Sequence, residues 1–302
     1  MFRKNIYRAF SLIEISIIVL IISLLISGIL RSNTLLTSMK LNSAANLTKS
    51  SPVGSINGLV LWLESTTIDS FKESEIFDIE DSTQITTWRD INPQSSKKYY
   101  ALTAATSAIT YQEISEINDL PSIYFDGSVS TDRLTLSKSS SISEAIPIIT
   151  PDNDFTFFVV SKLDSDADSS VTAFSNGNTA GWGYEMNGAS PSRYRRVAYP
   201  GVGDIDTSAA NGSNNPEIVT VTYSGNTGQA TTMRVNGESI GISSTAIDSD
   251  IPNTALYIGN ASSGSPWKGY ISEIIIYKKV LNAERISKVE KYLSQKYKIY
   301  LN

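Results

Sequence analysis

Hydrophobic and polar positions alternate in two different ways along this chain, and the change comes near Pro52. Residues 10–30 are almost continuously apolar, interrupted by Glu14 and a few serines. A helix of about 21 residues rises roughly 30 Å, the thickness of a bilayer core. Arg3, Lys4 and Arg8 precede the run, which predicts a cytoplasmic N-terminus and an exported remainder. The run is longer than a secretory signal core, and no small-residue cleavage site ends it. Beyond it, Leu36, Met39, Ala44 and Leu47 keep one broad helical stripe, while Leu35 and Leu41 lie outside it. Pro52 and Gly54 end the helix.

From Asn57 onward, short Val-, Ile-, Tyr-, Phe- and Thr-rich runs alternate with Ser, Gly, Asn and Asp clusters. The pattern predicts strands over 58–64, 122–125, 155–163, 217–224, 231–235, 238–242, 255–260 and 269–277. Asn236-Gly237 between two such runs predicts a two-residue hairpin with both residues at positive φ. Many short strands with turn signals predict a β-sandwich. A closing helix is predicted from Asn282 as its cap, with Ile286, Val289, Leu293 and Tyr297 on one face. Residues 137–145, rich in serine, read as a solvated loop.

Composition narrows the chemistry. The 302 residues contain no cysteine and no histidine, and the net charge is −5. Disulfides, thiolate chemistry, histidine metal sites and a Ser-His-Asp triad are therefore excluded. No basic stripe dominates beyond the first residues, so nucleic acid is not an expected partner.

Arg8-Ala9-Phe10-Ser11-Leu12-Ile13-Glu14, followed by the apolar run, resembles the cleavage site of type IV prepilins, with Ala9 where glycine is commoner. The resemblance covers about the first 50 residues. It implies a leader over 1–9 cut between Ala9 and Phe10 by a prepilin peptidase, with methylation of the new amine. It also implies an assembly role for Glu14, paired with the Phe10 amine of a neighbouring subunit. A carboxylate at membrane depth costs about 2.5–3.5 kcal/mol unless it finds a cation, which gives that pairing its physical reason. A plain signal anchor is the alternative.

The remainder resembles the concanavalin A-like, laminin-G-like jelly rolls of bacterial surface proteins. The residues that carry this are LVLWLES with Trp62, ITTWRDIN with Trp88 and Asp90, IYFDG with Asp126 and Gly127, FTFFVVSK, RVNGE, and the closing run from Trp267. WRDIN departs from the family, which more often has Ser-Gly after the aspartate. The expected fold is mainly β: an antiparallel jelly-roll sandwich head on a long N-terminal α-helix, with a C-terminal helix. The expected organisation is leader 1–9, transmembrane and stalk helix 10–50, linker 51–56 and head 57–302. Ligands of such jelly rolls include glycans, proteins and calcium.

Three stretches invite chemistry. EIFDIE, 75–80, alternates acids as jelly-roll glycoside hydrolases do, but Glu75 and Glu80 are an odd number apart and point to opposite faces of a strand, while Asp78 shares the face of Glu80. LDSDADSS places Asp164, Asp166 and Asp168 like the start of an EF-hand loop, yet Ser169 and Ser175 stand where glycine and glutamate are needed. A looser calcium site with Asp126 or Asp132 is the remaining metal reading; no cofactor is required. Trp182, Tyr184, Tyr194, Arg193, Arg195 and Arg196 could form a glycan-binding rim, or Trp182 and Tyr184 could face a core.

The resulting expectation is a non-enzymatic pilin-like minor or tip subunit. It starts in the bacterial inner membrane and passes into a pilus or pseudopilus, with its head in the periplasm or at the cell surface. Its partners would be other pilin or pseudopilin subunits, the prepilin peptidase, the inner membrane, and an extracellular glycan or protein. A pseudopilin of a secretion apparatus with a structural head, and a jelly-roll glycoside hydrolase, are the alternatives.

Overall fold

The computed structural model describes residues 12–71, 83–103, 108–129, 132–141, 154–164, 170–176, 182–187, 194–198, 205–206, 214–225, 230–243, 255–260 and 266–302. Two compact units divide the chain, Met1–Asn42 and Ser43–Asn302. The first is described from residue 12 as the opening part of helix α1 (Leu12–Lys49), with Glu14 in its first turn. The side chains over 12–26 are exposed on every face of the helix. Those over 27–34 lie outside the described residues, as do Arg8, Ala9 and Phe10. Among the described residues, no helix is long and apolar enough to cross a membrane.

The second unit opens with the last turns of α1 and a short 3-10 turn, Val53–Ser55. The strands follow in chain order: β1 (Leu59–Glu64), β2 (Thr83–Gln84), β3 (Thr87–Arg89), β4 (Tyr100–Thr103), β5 (Thr110–Gln112), β6 (Ser122–Asp126), β7 (Leu134–Ser137), β8 (Phe155–Leu163) and β9 (Ser170–Asn176). Then come β10 (Trp182–Asn187), β11 (Tyr194–Ala198), β12 (Ile205–Asp206), β13 (Glu217–Ser224), β14 (Ala230–Val235), β15 (Glu238–Ser243), β16 (Leu256–Ile258) and β17 (Lys268–Tyr277), and helix α2 (Ala283–Tyr297) closes the fold.

Among the described residues these strands form two antiparallel sheets. Sheet A runs β15-β14-β13-β8-β17-β6-β5-β2, with β1 also paired to β17; sheet B runs β12-β11-β10-β9-β16-β7-β4-β3. All eight strands predicted from the sequence are present, within a few residues at each end. Asn236 (φ 48°) and Gly237 (φ 83°) make the predicted hairpin between β14 and β15.

Side-chain alternation builds two cores. Phe157, Val159, Val219, Val221, Ile274 and Ile276 pack into the larger core with Trp88, Tyr184 and Trp267. Their strand neighbours Phe158, Val160, Ile218, Ile275 and Tyr277 face the other way. There they pack with Trp62, Ala44 and the α2 residues Ile286, Val289, Leu293 and Tyr297. Central strands β8, β13 and β17 are thus buried on both faces over most of their length. Asn282 caps α2 as predicted, accepting from the Arg285 N–H at 3.0 Å. The smaller core occupies only part of the outer face of sheet A. Farther along that face lie polar and aromatic side chains.

Candidate functional site

On the outer face of sheet A, strand register assembles two rungs. Tyr124 of β6, Tyr270 of β17 and Lys162 of β8 are direct cross-strand partners. One step on, Asp126 pairs with Lys268, and the Asp164 N–H bonds the Lys268 carbonyl at 3.0 Å. The reason is local. Ile123, Phe125, Leu163 and Ile271 turn into the larger core, so their neighbours must turn outward. The Tyr124 and Tyr270 rings lie 4.9 Å apart, tilted by 49°, and Lys162 Nζ sits 5.9 Å from the Tyr270 ring. The Tyr124 hydroxyl donates to Asp164 Oδ2 at 2.9 Å. Burial, then that hydrogen bond and the Asp164 charge, push the Tyr124 phenol well up, so it remains a donor. Lys162 also pairs with Glu116 at 2.6 Å. Across β5, the half-buried Thr110 partners Tyr124 and the half-buried Gln112 partners the fully buried Ser122. Two tilted phenol rings beside amide, hydroxyl and charged groups can stack a sugar ring while bonding its hydroxyls.

The acids expected to hold calcium are placed differently from one another. Asp126 and Asp164 reach the same rung, but Lys268 stands between their strands. Asp126 also accepts from the Ser128 N–H at 2.9 Å and hydroxyl at 2.8 Å. Asp132 is buried and accepts the Ala108 N–H at 3.2 Å. Asp166 and Asp168 lie outside the described residues, as do Glu75, Asp78, Glu80 and Arg193. Among the described residues, no group of three acids is arranged to hold a metal ion.

The expected aromatic and arginine rim resolves in part. Tyr184 is fully buried, donates to Glu217 Oε1 at 2.7 Å and packs 6.3 Å from the Trp267 ring. It is a core residue and cannot touch a ligand. The stretches holding Trp182, Tyr194, Arg195 and Arg196 are paired strands, β10 and β11, with Tyr194 opposite Asn187 and Arg196 opposite Glu185. The side chains of Trp182, Tyr194, Arg195 and Arg196 lie outside the described residues.

A second polar constellation is buried under α2. Glu64 and Glu273 are direct partners across β1 and β17. Lys296, from the last turn of α2, reaches both, at 2.7 Å to Glu64 Oε2 and 2.9 Å to Glu273 Oε2, and all three side chains are fully buried. Glu64 also accepts the Thr66 N–H at 2.9 Å, the Thr66 hydroxyl at 2.7 Å and the Thr67 N–H at 2.6 Å. Glu273 accepts from Trp62 Nε1 at 2.8 Å, from the Tyr292 hydroxyl at 2.9 Å and from the Tyr297 hydroxyl at 2.9 Å. Thr48 Oγ1 accepts from Lys296 at 2.8 Å. Burial pushes Glu273 above the usual carboxyl range, and the neighbouring Glu64 charge adds to this against the pull of Lys296. Burial also opposes the Glu64 charge, but Lys296, Thr67 and Thr66 together hold Glu64 below that range. Lys296 is raised, because the two carboxylates outweigh its desolvation. A cleft of about 470 Å³, lined in part by Thr48, Trp62, Thr67 and Pro93, adjoins this cluster. The sequence did not single these three residues out. The available signal was an acid inside an apolar run, ISEIII, the same kind that marks Glu14.

A family profile described as the concanavalin A-like lectin/glucanases superfamily, Laminin_G_3, matches residues 122–287, more than half of the chain. The chain belongs to this superfamily. Strands β6 to β17, including the two-rung site, fall inside the match, whereas Glu64 and Lys296 fall outside it. Among solved structures, a Trypanosoma rangeli sialidase is 14% identical with a TM-score of 0.52, over 86% of this chain and 38% of the sialidase. The chain therefore spans well under half of that protein, and the likeness is one of fold. Domain 4 of AbnA, an extracellular arabinanase from Geobacillus stearothermophilus solved with arabinotriose, is 13% identical over 61% of this chain and 80% of that domain, with a TM-score of 0.45. No curated protein matches the chain.

Proposed function

We propose that this protein is a type IV pilin-like subunit whose superfamily head binds a glycan on the outer face of sheet A and hydrolyses nothing. The observation that carries the binding half is the Tyr124–Tyr270 pair, flanked by Lys162, Lys268, Asp126 and Asp164 on one face. Rings held by neighbouring strands lose little freedom on binding, which favours affinity. The superfamily's own description, lectins and glucanases, fits a saccharide ligand. The rung places a lysine between its two carboxylates, an arrangement that suits holding a ligand better than sharing a proton across a glycosidic bond.

Tyr124→Ala and Tyr270→Ala should each weaken binding of the responding oligosaccharide by about 1–2 kcal/mol, roughly five- to thirty-fold in Kd. Glycan arrays followed by calorimetry, with and without calcium, measure this. A head that degrades the oligosaccharide, or whose affinity ignores both tyrosines, contradicts the proposal.

The pilin half rests on the prepilin-like segment and on the opening of α1. There Ser16 and Ser23 donate back to the Ile13 and Val19 carbonyls at 2.8 and 2.7 Å, so these hydroxyls need no water. The exposed apolar side chains over 12–26 suit a lipid or helix-bundle surrounding. In this reading Glu14 pairs with the Phe10 amine of the next subunit. Glu14→Ala should leave the membrane-fraction yield intact and reduce the sheared-filament fraction. Equal filament yields would count against the pairing.

A further inference from the structure

We propose that Lys296 and Glu64 condense into a side-chain amide, covalently joining α2 to β1, with Glu273 as the proton shuttle. The geometry assigns one role to each residue. Lys296 Nζ lies 2.7 Å from Glu64 Oε2, so the amine already touches the carboxyl group it would attack. The opposite oxygen, Glu64 Oε1, accepts the Thr67 N–H at 2.6 Å and the Ser70 hydroxyl at 3.3 Å. Those donors stand where negative charge develops when nitrogen adds to the carboxyl carbon. The oxygen that must leave, Oε2, is held by the Thr66 N–H and hydroxyl. Glu273 Oε2 lies 2.9 Å from the same nitrogen, and Trp62, Tyr292 and Tyr297 hold that carboxyl in place.

The step balances without a co-reactant. Lys296 first passes one proton to Glu64 Oε2, giving a neutral amine beside a neutral acid. Burial penalises both charged forms, but Lys296 holds Glu64 below its usual range and the two carboxylates hold Lys296 above its own, so this transfer is uphill and is the costly part of the step. The nitrogen lone pair then adds to Glu64 Cδ, and the carbonyl electrons move onto Oε1. Glu273 takes a proton from nitrogen and returns one to Oε2. The Cδ–Oε2 bond breaks, one water leaves, and an amide remains with Glu273 restored. Thr67 and Trp62 also line the 470 Å³ cleft, which gives the water an exit. Condensation removes an ion pair from a dry interior, where its desolvation cost is large. Fixed proximity replaces the encounter of two separate groups.

The test is peptide mapping by mass spectrometry of the full chain, digested after denaturation. The expected result is one linked species containing Glu64 and Lys296, lighter than the sum of its two peptides by one water. Glu273→Gln keeps the side-chain size and should leave the two peptides separate. Its thermal melt, run alongside, shows whether it has folded; if it has not, the wild-type map alone decides. Separate Glu64 and Lys296 peptides from wild-type protein would overturn the proposal. So would a link from Lys296 to Glu273, or a full yield of the link in folded Glu273→Gln. None of these outcomes depends on glycan binding or filament assembly.

Discussion

Lys296→Met should destabilise the head by at least about 3–5 kcal/mol at neutral pH, because it leaves two buried carboxyls without the lysine that neutralises them, whether wild type holds that lysine as an ion pair or as the amide. Methionine keeps the stem packed against Tyr292 and Tyr297, so little of the loss comes from a cavity. What remains is two carboxyls, Glu64 and Glu273, paired across β1 and β17 in a buried site with no ion-pair partner among the described residues. The sign of the pH dependence follows. Without Lys296, desolvation dominates at both carboxyls, since the Lys296 charge and hydrogen bond are the largest influences opposing it at each. Their folded pKa values then lie above the unfolded ones. A carboxyl raised in this way favours the folded state at low pH and loses that contribution as pH rises through its folded pKa. The variant should therefore be steadily less stable from about pH 4.5 towards pH 8, starting near the ordinary glutamate range. Urea denaturation followed by tryptophan fluorescence, repeated across that range, reads both effects. Adding Glu64→Gln and Glu273→Gln should recover the part of the loss that comes from buried charge and flatten the pH profile. A single variant as stable as wild type at pH 8 would show that the cluster carries no buried charge.

What the sequence made legible follows from burial. β8, β13 and β17 lie between the two cores, so β8 and the second half of β17 read as nearly continuous apolar runs, FTFFVV and IIIY, while β13 alternates Ile218, Val219 and Val221 with the buried Thr220 and Thr222. Sheet B was largely missed. Its strands β10 and β11 pair with their chain neighbours, β9 with β10 and β10 with β11, but glycine, arginine and tyrosine at close spacing blur the alternation and read equally as a ligand rim or a core strand. Long-range register hid the two-rung site. Its strands were all expected, but the register that sets Tyr124 beside Tyr270 is not a property of either segment. Asp126 and Asp164 looked like metal ligands because the lysine between their strands, Lys268, is more than 100 residues away in the chain. Local chemistry fared better. The Asn236-Gly237 turn and the Asn282 cap depend on a few adjacent residues, and both formed as expected.

Gly259→Ala should lower stability by about 2–4 kcal/mol, whereas Gly237→Asn should change it by less than about 1 kcal/mol. Both glycines sit at positive φ, +86° and +83°, so φ alone does not separate them. Their surroundings do. Gly259 donates its N–H to the Ala173 carbonyl at 2.7 Å, and its own carbonyl accepts the Trp267 N–H at 2.7 Å. Both backbone groups are fixed, so the residue cannot rotate to relieve a side chain. A Cβ there would lie 2.9 Å from Phe125 Cζ and closer still to Cε1 and Cδ1. Phe125 is fully buried in the larger core and has nowhere to swing. The alanine therefore adds overpacking to left-handed strain. At Gly237 a Cβ would meet Leu301 Cβ at 3.3 Å, and Leu301 is exposed and near the chain end. Asparagine tolerates the left-handed region, as Asn236 beside it already does. For a unit of this size, the alanine should lower Tm by roughly 5–15 °C and the asparagine by only a few degrees. Phe125 also lies between Tyr124 and Asp126 in β6. Any shift of its ring that accommodates the alanine must move the strand that carries the two-rung site. Glycan affinity should therefore fall in Gly259→Ala, measured well below its melting point, and hold in Gly237→Asn. An alanine variant that melts and binds like wild type would mean that the close approach of Gly259 to Phe125 is not maintained in solution.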